Sequence, residues 1–182
     1  LLEPPPASRV QSFVDGSRRW LDRAELSRPA LEWAFRWLER EAPARERTVF
    51  AHRDFRTGNY LVDERGLTAI LDWEFAGFSD PLEDIGWFCA RCWRFGAIER
   101  EAGGIGARAD FYSGYESEST RGVEPSEVFF WEVFAHARWA VIAIRQARRA
   151  RVGERGALLL ALTGHLLPEL EHELMAMTGR RA

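Results

Sequence analysis

The sequence contains no lysine: all 25 of its basic residues are arginine. Its 28 acidic residues outnumber the basic ones, which gives a formal net charge of -3 at pH 7 and a pI near 5.9. A surface that binds nucleic acid must neutralise phosphates with a clear excess of basic side chains. The charge balance therefore argues against a protein that binds DNA or RNA.

Cysteine is scarce, since only Cys89 and Cys92 are present, in a C-x-x-C spacing. This spacing occurs in redox pairs and in half of a zinc site. A zinc site needs two further ligands, and the four histidines lie singly along the sequence. A redox pair is expected between a strand and a helix, whereas residues 86–93 are predicted to form one helical stretch. We therefore predict packing thiols on one helix face, and a disulfide-stapled secreted fold is not indicated.

Long apolar runs are also missing. The run from Trp139 to Ile144 is six residues long, against the ~20 that a membrane span requires. Residues Leu1–Pro6 carry neither the charged region nor the cleavage pattern of a signal peptide. These absences predict a soluble, cytoplasmic protein without a membrane partner. The proline-rich start without an initiator methionine leads us to expect that the chain belongs to a longer protein.

The apolar content, 46% of 182 residues, is enough to build the core of one compact domain. Helical periodicity and capping residues predict helices near residues 8–24, 27–42, 82–95, 107–115, 126–151, 157–167 and 168–177. Short β-prone runs predict strands at 48–51, 60–62 and 68–71. The last two runs flank the turn-forming residues 63–66 and predict a β-hairpin. The fold class is therefore α+β and predominantly α-helical.

One string of residues carries chemistry: His52-Arg53-Asp54 is followed by Asn59, and Asp72 comes after the hairpin. The string has the kinase catalytic-loop pattern H-R-D-x-x-x-x-N. Phosphoryl transfer needs an acceptor for the proton of the substrate hydroxyl and oxygen ligands for magnesium. Magnesium is a hard cation, so carboxylate and amide oxygens suit it. Asp54, Asn59 and Asp72 are the candidates for these groups, and the hairpin returns Asp72 towards the loop.

Further segments extend the pattern after the loop, namely Leu71-Asp72-Trp73-Glu74, Ser79-Asp80-Pro81 and Asp84-Ile85. Together with the loop they resemble the aminoglycoside phosphotransferase and choline kinase superfamily, whose fold is protein-kinase-like. Members typically show His-Gly-Asp with a later Asn, then Ile-Asp-Trp-Glu, Gly-Asp-Pro and Asp-Leu. The resemblance is clearest from Phe50 to Trp93.

The resemblance implies a role for each matching residue. Asp54 would be the catalytic base, Asn59 and Asp72 would bind magnesium, and His52 and Asp84 would support the loop through hydrogen bonds. It also implies Mg²⁺ and ATP, with GTP possible, as cofactors, and a hydroxyl of a small molecule as acceptor. The fold it implies is the C-terminal lobe of the protein-kinase-like fold, with a small β-hairpin after the catalytic loop.

Two residues depart from the family pattern. Arg53 stands where small-molecule members usually have glycine, as in the protein-kinase loop, and Arg56 stands where many relatives have histidine. No Ala-Pro-Glu motif and no long phosphorylatable segment follow Asp72, which disfavours a protein kinase.

The sequence lacks two parts of a complete kinase: a Gly-rich turn over the nucleotide and a lysine on its phosphates, both before the catalytic loop. Gly103–Gly106 comes after the loop and is predicted to be a turn. We therefore expect residues 1–182 to be a C-terminal lobe that is inactive without an N-terminal nucleotide lobe absent from this chain. The alternative is a catalytically dead kinase-like module for binding or scaffolding.

The acceptor site is not identified by the sequence. Three acidic residues in a polar segment can attract a cationic antibiotic or can form a solvated loop. They are Glu116, Glu118 and Glu124. Four tryptophans on predicted helices are expected to pack in the core and not to form a cage for a quaternary amine. They are Trp33, Trp37, Trp131 and Trp139.

Overall fold

A computed structural model of the protein describes residues 6–44, 47–151 and 156–179. The chain divides into two compact units. The loop unit comprises residues 1–9 and 43–132, and the helical unit comprises residues 10–42 and 133–182. The described residues are mostly helical with few strands, which confirms the prediction of a predominantly helical chain.

The α-helices of the described residues follow one another along both units. They are α1 (Arg9–Arg23), α2 (Pro29–Arg40), α3 (Pro81–Cys89), α4 (Arg108–Glu118), α5 (Pro125–Arg151), α6 (Ala157–His165) and α7 (Leu167–Gly179). None of the helices in the described ranges is long and apolar enough to cross a membrane.

Two antiparallel strand pairs lie in the described part of the loop unit. β2 (Tyr60–Asp63) pairs with β3 (Gly66–Ile70), as the hairpin prediction requires, with an irregularity between Leu61 and Val62. The second pair joins β1 (Val49–Ala51) to β4 (Gly77–Ser79). The sequence did not predict β4. This pair places the two ends of the 52–76 segment beside each other.

α3 begins sharply because Asp80 caps it. The Asp80 carboxylate accepts the backbone N–H of Leu82 at 2.9 Å, and Pro81 occupies the first turn, where its missing N–H costs nothing. The next residues, Glu83 and Asp84, place two carboxylates near the helix N-terminus, where the helix dipole favours negative charge. The cap therefore sets the position of both acidic side chains.

The predicted helix over 82–95 is wrong at its C-terminal end. α3 stops at Cys89, Ala90 is non-helical, and a separate 3-10 turn spans Arg91–Trp93. The two cysteines therefore do not share a helix face. Neither cysteine forms a disulfide, Cys89 is fully buried, and burial raises the pKa of its thiol to about 12. A thiol held in its protonated form is a poor nucleophile, as expected of a packing residue.

α5 is the long buried helix that the sequence predicts, with most residues from Val128 to Ile144 inaccessible to solvent. Its first residue is Pro125, so Ser126 lies inside the helix and does not cap it. In the helical unit, Phe13 packs on Phe35 and Phe134 at ring-centre distances of 5.9 and 4.7 Å.

Trp37 and Trp131 are buried, as predicted. Trp33 is not: it is 45% exposed, and its indole N–H donates to the Thr178 hydroxyl on α7 at 2.9 Å. The hydrogen bond connects α2 to α7 within the helical unit. Trp33 therefore contributes one polar contact at a helix interface, and nearly half of its surface is exposed to solvent.

Gly86 permits close contact between α3 and the part of α5 that belongs to the loop unit. A Cβ atom at this position would lie 2.5 Å from the Trp131 Cβ and 2.7 Å from its carbonyl carbon. Backbone atoms cannot move aside as a flexible side chain does, so any larger residue must push the two helices apart.

We predict that Gly86→Ala lowers the free energy of unfolding by about 1–3 kcal/mol, because overpacking forces the helices to separate. Gly114→Ala in α4 is the matched control, since an added Cβ there meets no atom within 4 Å and alanine favours helix. Denaturant titration followed by circular dichroism measures both. Equal stability of the two variants would contradict the close contact.

Candidate active site

The loop that follows β1 is held by the side chain of Asp84 on α3. One carboxylate oxygen, Oδ2, accepts the backbone N–H of His52 at 2.8 Å, and Oδ1 accepts that of Arg53 at 2.6 Å. Burial raises the pKa of Asp84, while the two N–H groups oppose the rise by stabilising the carboxylate. Asp84 thus contacts the loop, although it lies 32 residues from His52 and 31 from Arg53 in the sequence.

The imidazole of His52 connects the loop to the end of the hairpin. Its Nδ1 accepts the backbone N–H of Asp54 at 3.2 Å. The other nitrogen, Nε2, therefore carries the proton and donates to the carbonyl of Leu71 at 2.8 Å. A tilted contact with the Trp73 ring, at 4.6 Å between ring centres, fixes the plane of the imidazole.

Asp54 and Asn59 lie together in the interior of the loop. The Asn59 amide Nδ2 donates to the Asp54 carboxylate Oδ2 at 2.7 Å and to the Asp54 carbonyl at 2.9 Å. The backbone reaches this arrangement through Gly58, whose φ of 104° lies in the region that favours glycine. Because Nδ2 is committed to Asp54, the amide oxygen Oδ1 of Asn59 is the atom that can meet a cation.

Asp72 is the next residue after Leu71, which is hydrogen-bonded to both Asn59 and His52. The N–H of the preceding residue, Leu71, donates to the Asn59 carbonyl at 2.8 Å, and the Leu71 carbonyl accepts from His52. Asp72 itself is exposed and adopts a left-handed conformation, with φ of 64° and ψ of 55°. A non-glycine residue in that conformation costs of order 1–3 kcal/mol, which the two flanking hydrogen bonds offset.

The donor set suits magnesium. Asn59 and Asp72 offer an amide and a carboxylate oxygen, the hard ligands that this ion takes. Within the described ranges, no group of three or more His, Cys, Asp and Glu side chains could hold a metal. Magnesium commonly binds through one or two protein ligands, with water and substrate phosphates completing its shell. The residues present therefore fit an ion that is shared with a nucleotide.

Arg53 is held by two consecutive carboxylates of α3. It too has a left-handed backbone, with φ of 64°, where glycine would be unstrained. Its backbone N–H is bound by Asp84, and its guanidinium Nε lies 3.8 Å from the carboxylate of Glu83. Burial lowers the pKa of Arg53 below its ordinary value, and Glu83 opposes this decrease. Arginine is thus accommodated where the family usually has glycine.

Glu83 is a further buried residue of the site, with 1% of its surface exposed. The sequence did not identify it. Arg9, at the start of α1, donates two hydrogen bonds of 3.0 Å to its two oxygens, and the Ser79 hydroxyl donates to Oε2. The pairing of Arg9 with Glu83 spans 74 residues and leaves no local sequence pattern. The one signal that could have indicated Glu83 is its position next to Asp84 on a buried helix.

Arg56 places a positive charge beside the proposed base. Its guanidinium lies 4.8 Å from the centre of the Trp93 ring, and its Nε lies 3.6 Å from Asp54 Oδ1. The Nε atom has no hydrogen-bond partner among the described residues. Stacking on an aromatic ring leaves the guanidinium edge available to an anion.

The glycine segment 103–106 packs against the loop from the other side. Its residues form a tight turn closed by an Ala102–Gly106 bridge, which confirms the predicted turn. The Thr57 hydroxyl donates to the Gly103 carbonyl at 2.6 Å, and a Cβ on Gly103 would lie 2.4 Å from Phe88. The segment therefore supports the loop and is not a phosphate cradle.

Among the acidic residues considered for acceptor binding, Glu116 is already used within the protein. Its carboxylate accepts the backbone N–H of Val123 at 2.6 Å. Glu124 accepts a hydrogen bond from the Ser126 hydroxyl at 3.2 Å. Both hydrogen bonds connect residues at or near the polar segment that precedes α5.

We predict that Glu83→Gln lowers the free energy of unfolding by about 3 kcal/mol or more, because it leaves the buried Arg9 guanidinium without its charged partner. Glu32→Gln is the matched control: Glu32 also receives two hydrogen bonds from one arginine, Arg18, but is 42% exposed. That change should cost less than about 1 kcal/mol. Urea titration measures both, and equal losses would contradict the role given to Glu83.

The chain is similar to known proteins. The model of the phosphotransferase enzyme family matches residues 2–119, well over half of the chain. A solved structure from Ralstonia eutropha JMP134, proposed to be an aminoglycoside phosphotransferase, has the same fold, with a TM-score of 0.78 at 21% sequence identity. The likeness covers 97% of this chain and 57% of that protein, so the chain spans a little over half of its length. By the family match, the chain belongs to the phosphotransferase enzyme family.

Proposed function

We propose that this chain is the catalytic part of an enzyme that transfers the γ-phosphate of ATP, or of GTP, to a hydroxyl group of a small molecule. The buried pair of Asp54 and Asn59, in a loop anchored by Asp84, is the observation that carries the proposal. Membership of the phosphotransferase enzyme family supports it.

In this proposal Asp54 accepts the proton of the attacking hydroxyl. Its carboxylate is oriented by Asn59, and its backbone N–H is held by His52. A base fixed from both sides loses little conformational freedom when the substrate arrives, which favours proton transfer in the transition state. Arg56, 3.6 Å from Asp54, is placed to attract a phosphate oxygen to the same region.

Asn59 and Asp72 are the residues that would hold magnesium. When bound with the nucleotide, the ion offsets the negative charge that the phosphates bring to Asp54. The Leu71 backbone joins the two ligands, because its N–H binds the Asn59 carbonyl and its neighbour is Asp72. The conformation of the hairpin end therefore sets the spacing between them.

We further propose that a nucleotide lobe covers an apolar surface formed by the β2–β3 hairpin and the segment that follows it. Large apolar side chains there are between 39% and 65% exposed. They are Leu61, Val62, Leu67, Leu71, Trp73 and Phe75. Exposed apolar patches of this kind mark contact surfaces. The missing lysine and Gly-rich turn, and the greater length of the structural relative, support this lobe as the occupant.

The same absences favour a second candidate, a module that keeps the lobe but performs no phosphoryl transfer. It differs from the enzyme in one measurable property. Such a module binds magnesium weakly through Asp72 and releases no ADP in the presence of any acceptor, even when the nucleotide lobe is attached.

We predict that Asp54→Asn, made in the longer enzyme, lowers turnover by about 10²–10⁴-fold, because an amide cannot accept the hydroxyl proton. Nucleotide affinity should stay unchanged. ADP release with a panel of aminoglycoside, choline-like and sugar hydroxyls measures turnover. Undiminished turnover in the variant would remove Asp54 from the mechanism.

We predict that Asp72→Asn weakens binding of the magnesium–nucleotide complex, because it removes the one carboxylate proposed as a metal ligand. Asp63→Asn, an exposed carboxylate in the same hairpin, is the matched control and should have no effect. Fluorescence titration with a nucleotide analogue, with and without magnesium, measures the difference. A loss of affinity that is equal without magnesium would contradict metal binding by Asp72.

A further inference from the structure

A cavity of about 490 Å³ lies beside the loop, wholly within the loop unit. Its walls come from β1, from the start of α3 and from α4, and Phe55 of the loop completes them. Its volume falls within the range of about 300–1,000 Å³ that is typical of sites for small molecules. The lining does not include Asp54, Asn59 or Asp72, so the cavity is separate from the residues proposed for phosphoryl transfer.

The chemistry of the cavity walls is apolar, aromatic and acidic. Aromatic rings come from Phe50, Phe55, Phe111 and Tyr115, and none of the described lining residues is basic. Aromatic faces carry partial negative charge and attract cations at about 6 Å or less. An apolar body with a positive charge is therefore the kind of molecule that these walls favour.

Two carboxylates line the same cavity. Asp110 is an exposed residue of α4, and Asp84 is the half-buried residue that holds the loop. The hydrogen bonds to Asp84 come from neutral backbone amides, and the Arg53 guanidinium, which Glu83 also attracts, is a cation that acts on its charge. An anionic ligand would be repelled by both carboxylates, and a neutral one would gain nothing from them. A cation gains from each.

We propose that this cavity binds a small hydrophobic amine, a monocation with an aromatic or branched body of about the size of phenethylammonium. The apolar rings enclose the body, and the ammonium group lies towards Asp110. Asp54, Asn59 and Asp72 do not line this cavity, so binding there does not depend on the phosphotransferase activity. It adjoins the loop through Ala51 and Phe55, which flank the segment from His52 to Asp54.

Gly114 provides a way to close the cavity without disturbing the fold. It lies in the wall, and an added Cβ meets no atom within 4 Å. Leucine is also a better helix former than glycine by roughly 0.5–1 kcal/mol, so Gly114→Leu should fold and fill the space. Gly16→Leu in α1 is the matched control, because that glycine also has open space around it and does not line the cavity.

The test is calorimetric or NMR titration of the protein with phenethylammonium, with neutral 2-phenylethanol and with phenylacetate. We expect saturable binding of the cation, weaker binding of the alcohol and none of the anion. Gly114→Leu should abolish binding of the cation, and Gly16→Leu should not alter it. Asp110→Asn should reduce the preference for the cation over the alcohol by roughly threefold, as for a partly exposed ion pair.

Three results would overturn the proposal. The first is that the alcohol binds as tightly as the cation. The second is that Gly114→Leu keeps the affinity of the unaltered protein while its circular dichroism shows a folded chain. Absence of saturable binding by all three probes is the third.

Discussion

A single half-buried carboxylate, that of Asp84, holds two consecutive backbone amides of the loop, and the remaining contacts of the site follow from it. Burying a carboxylate is costly unless its oxygens receive good hydrogen bonds. Here the N–H groups of His52 and Arg53 supply one bond to each oxygen. Charge-assisted bonds of this type are stronger than neutral ones, so they fix the direction in which the loop leaves β1.

From that point the hydrogen bonds form one connected chain. His52 holds the N–H of Asp54 and the carbonyl of Leu71, and Asn59 holds the carboxylate of Asp54. In a low-dielectric interior such networks gain from being complete and lose heavily when one member is removed. The proposed base and both proposed metal ligands are therefore positioned by the same network, although they come from different segments.

The loop pattern and the hairpin could be predicted because they leave local marks in the sequence. The H-R-D string and Asn59 lie within eight contiguous residues, and Asp63 and Gly66 are turn residues at fixed spacing. β4 could not be predicted, because a three-residue strand that begins with glycine has no periodicity to detect. The early end of α3 at Cys89 was missed for a related reason, since apolar residues continue through Trp93 and conceal the break.

The pairing of Arg9 with Glu83 shows the limit of sequence reasoning more directly. Each residue alone is typical of a solvated helix face, and only tertiary structure brings them together. The same holds for the cavity beside the loop, whose walls come from segments separated by up to sixty residues or so, each of them an ordinary apolar stretch. The loop pattern, and through the resemblance the support from His52 and Asp84, could be predicted from the sequence, while the Arg9–Glu83 pair and the cavity could not.

Amide hydrogen exchange tests the central claim, that Asp84 anchors the loop, most directly. In the unaltered protein the amides of His52 and Arg53 should exchange slowly. In Asp84→Ala both should exchange about tenfold faster or more, as expected when a hydrogen bond of about 1.4 kcal/mol is lost, while the amides of the β2–β3 hairpin keep their rates. Unchanged exchange at His52 and Arg53, or equal acceleration throughout the loop unit, would contradict the account.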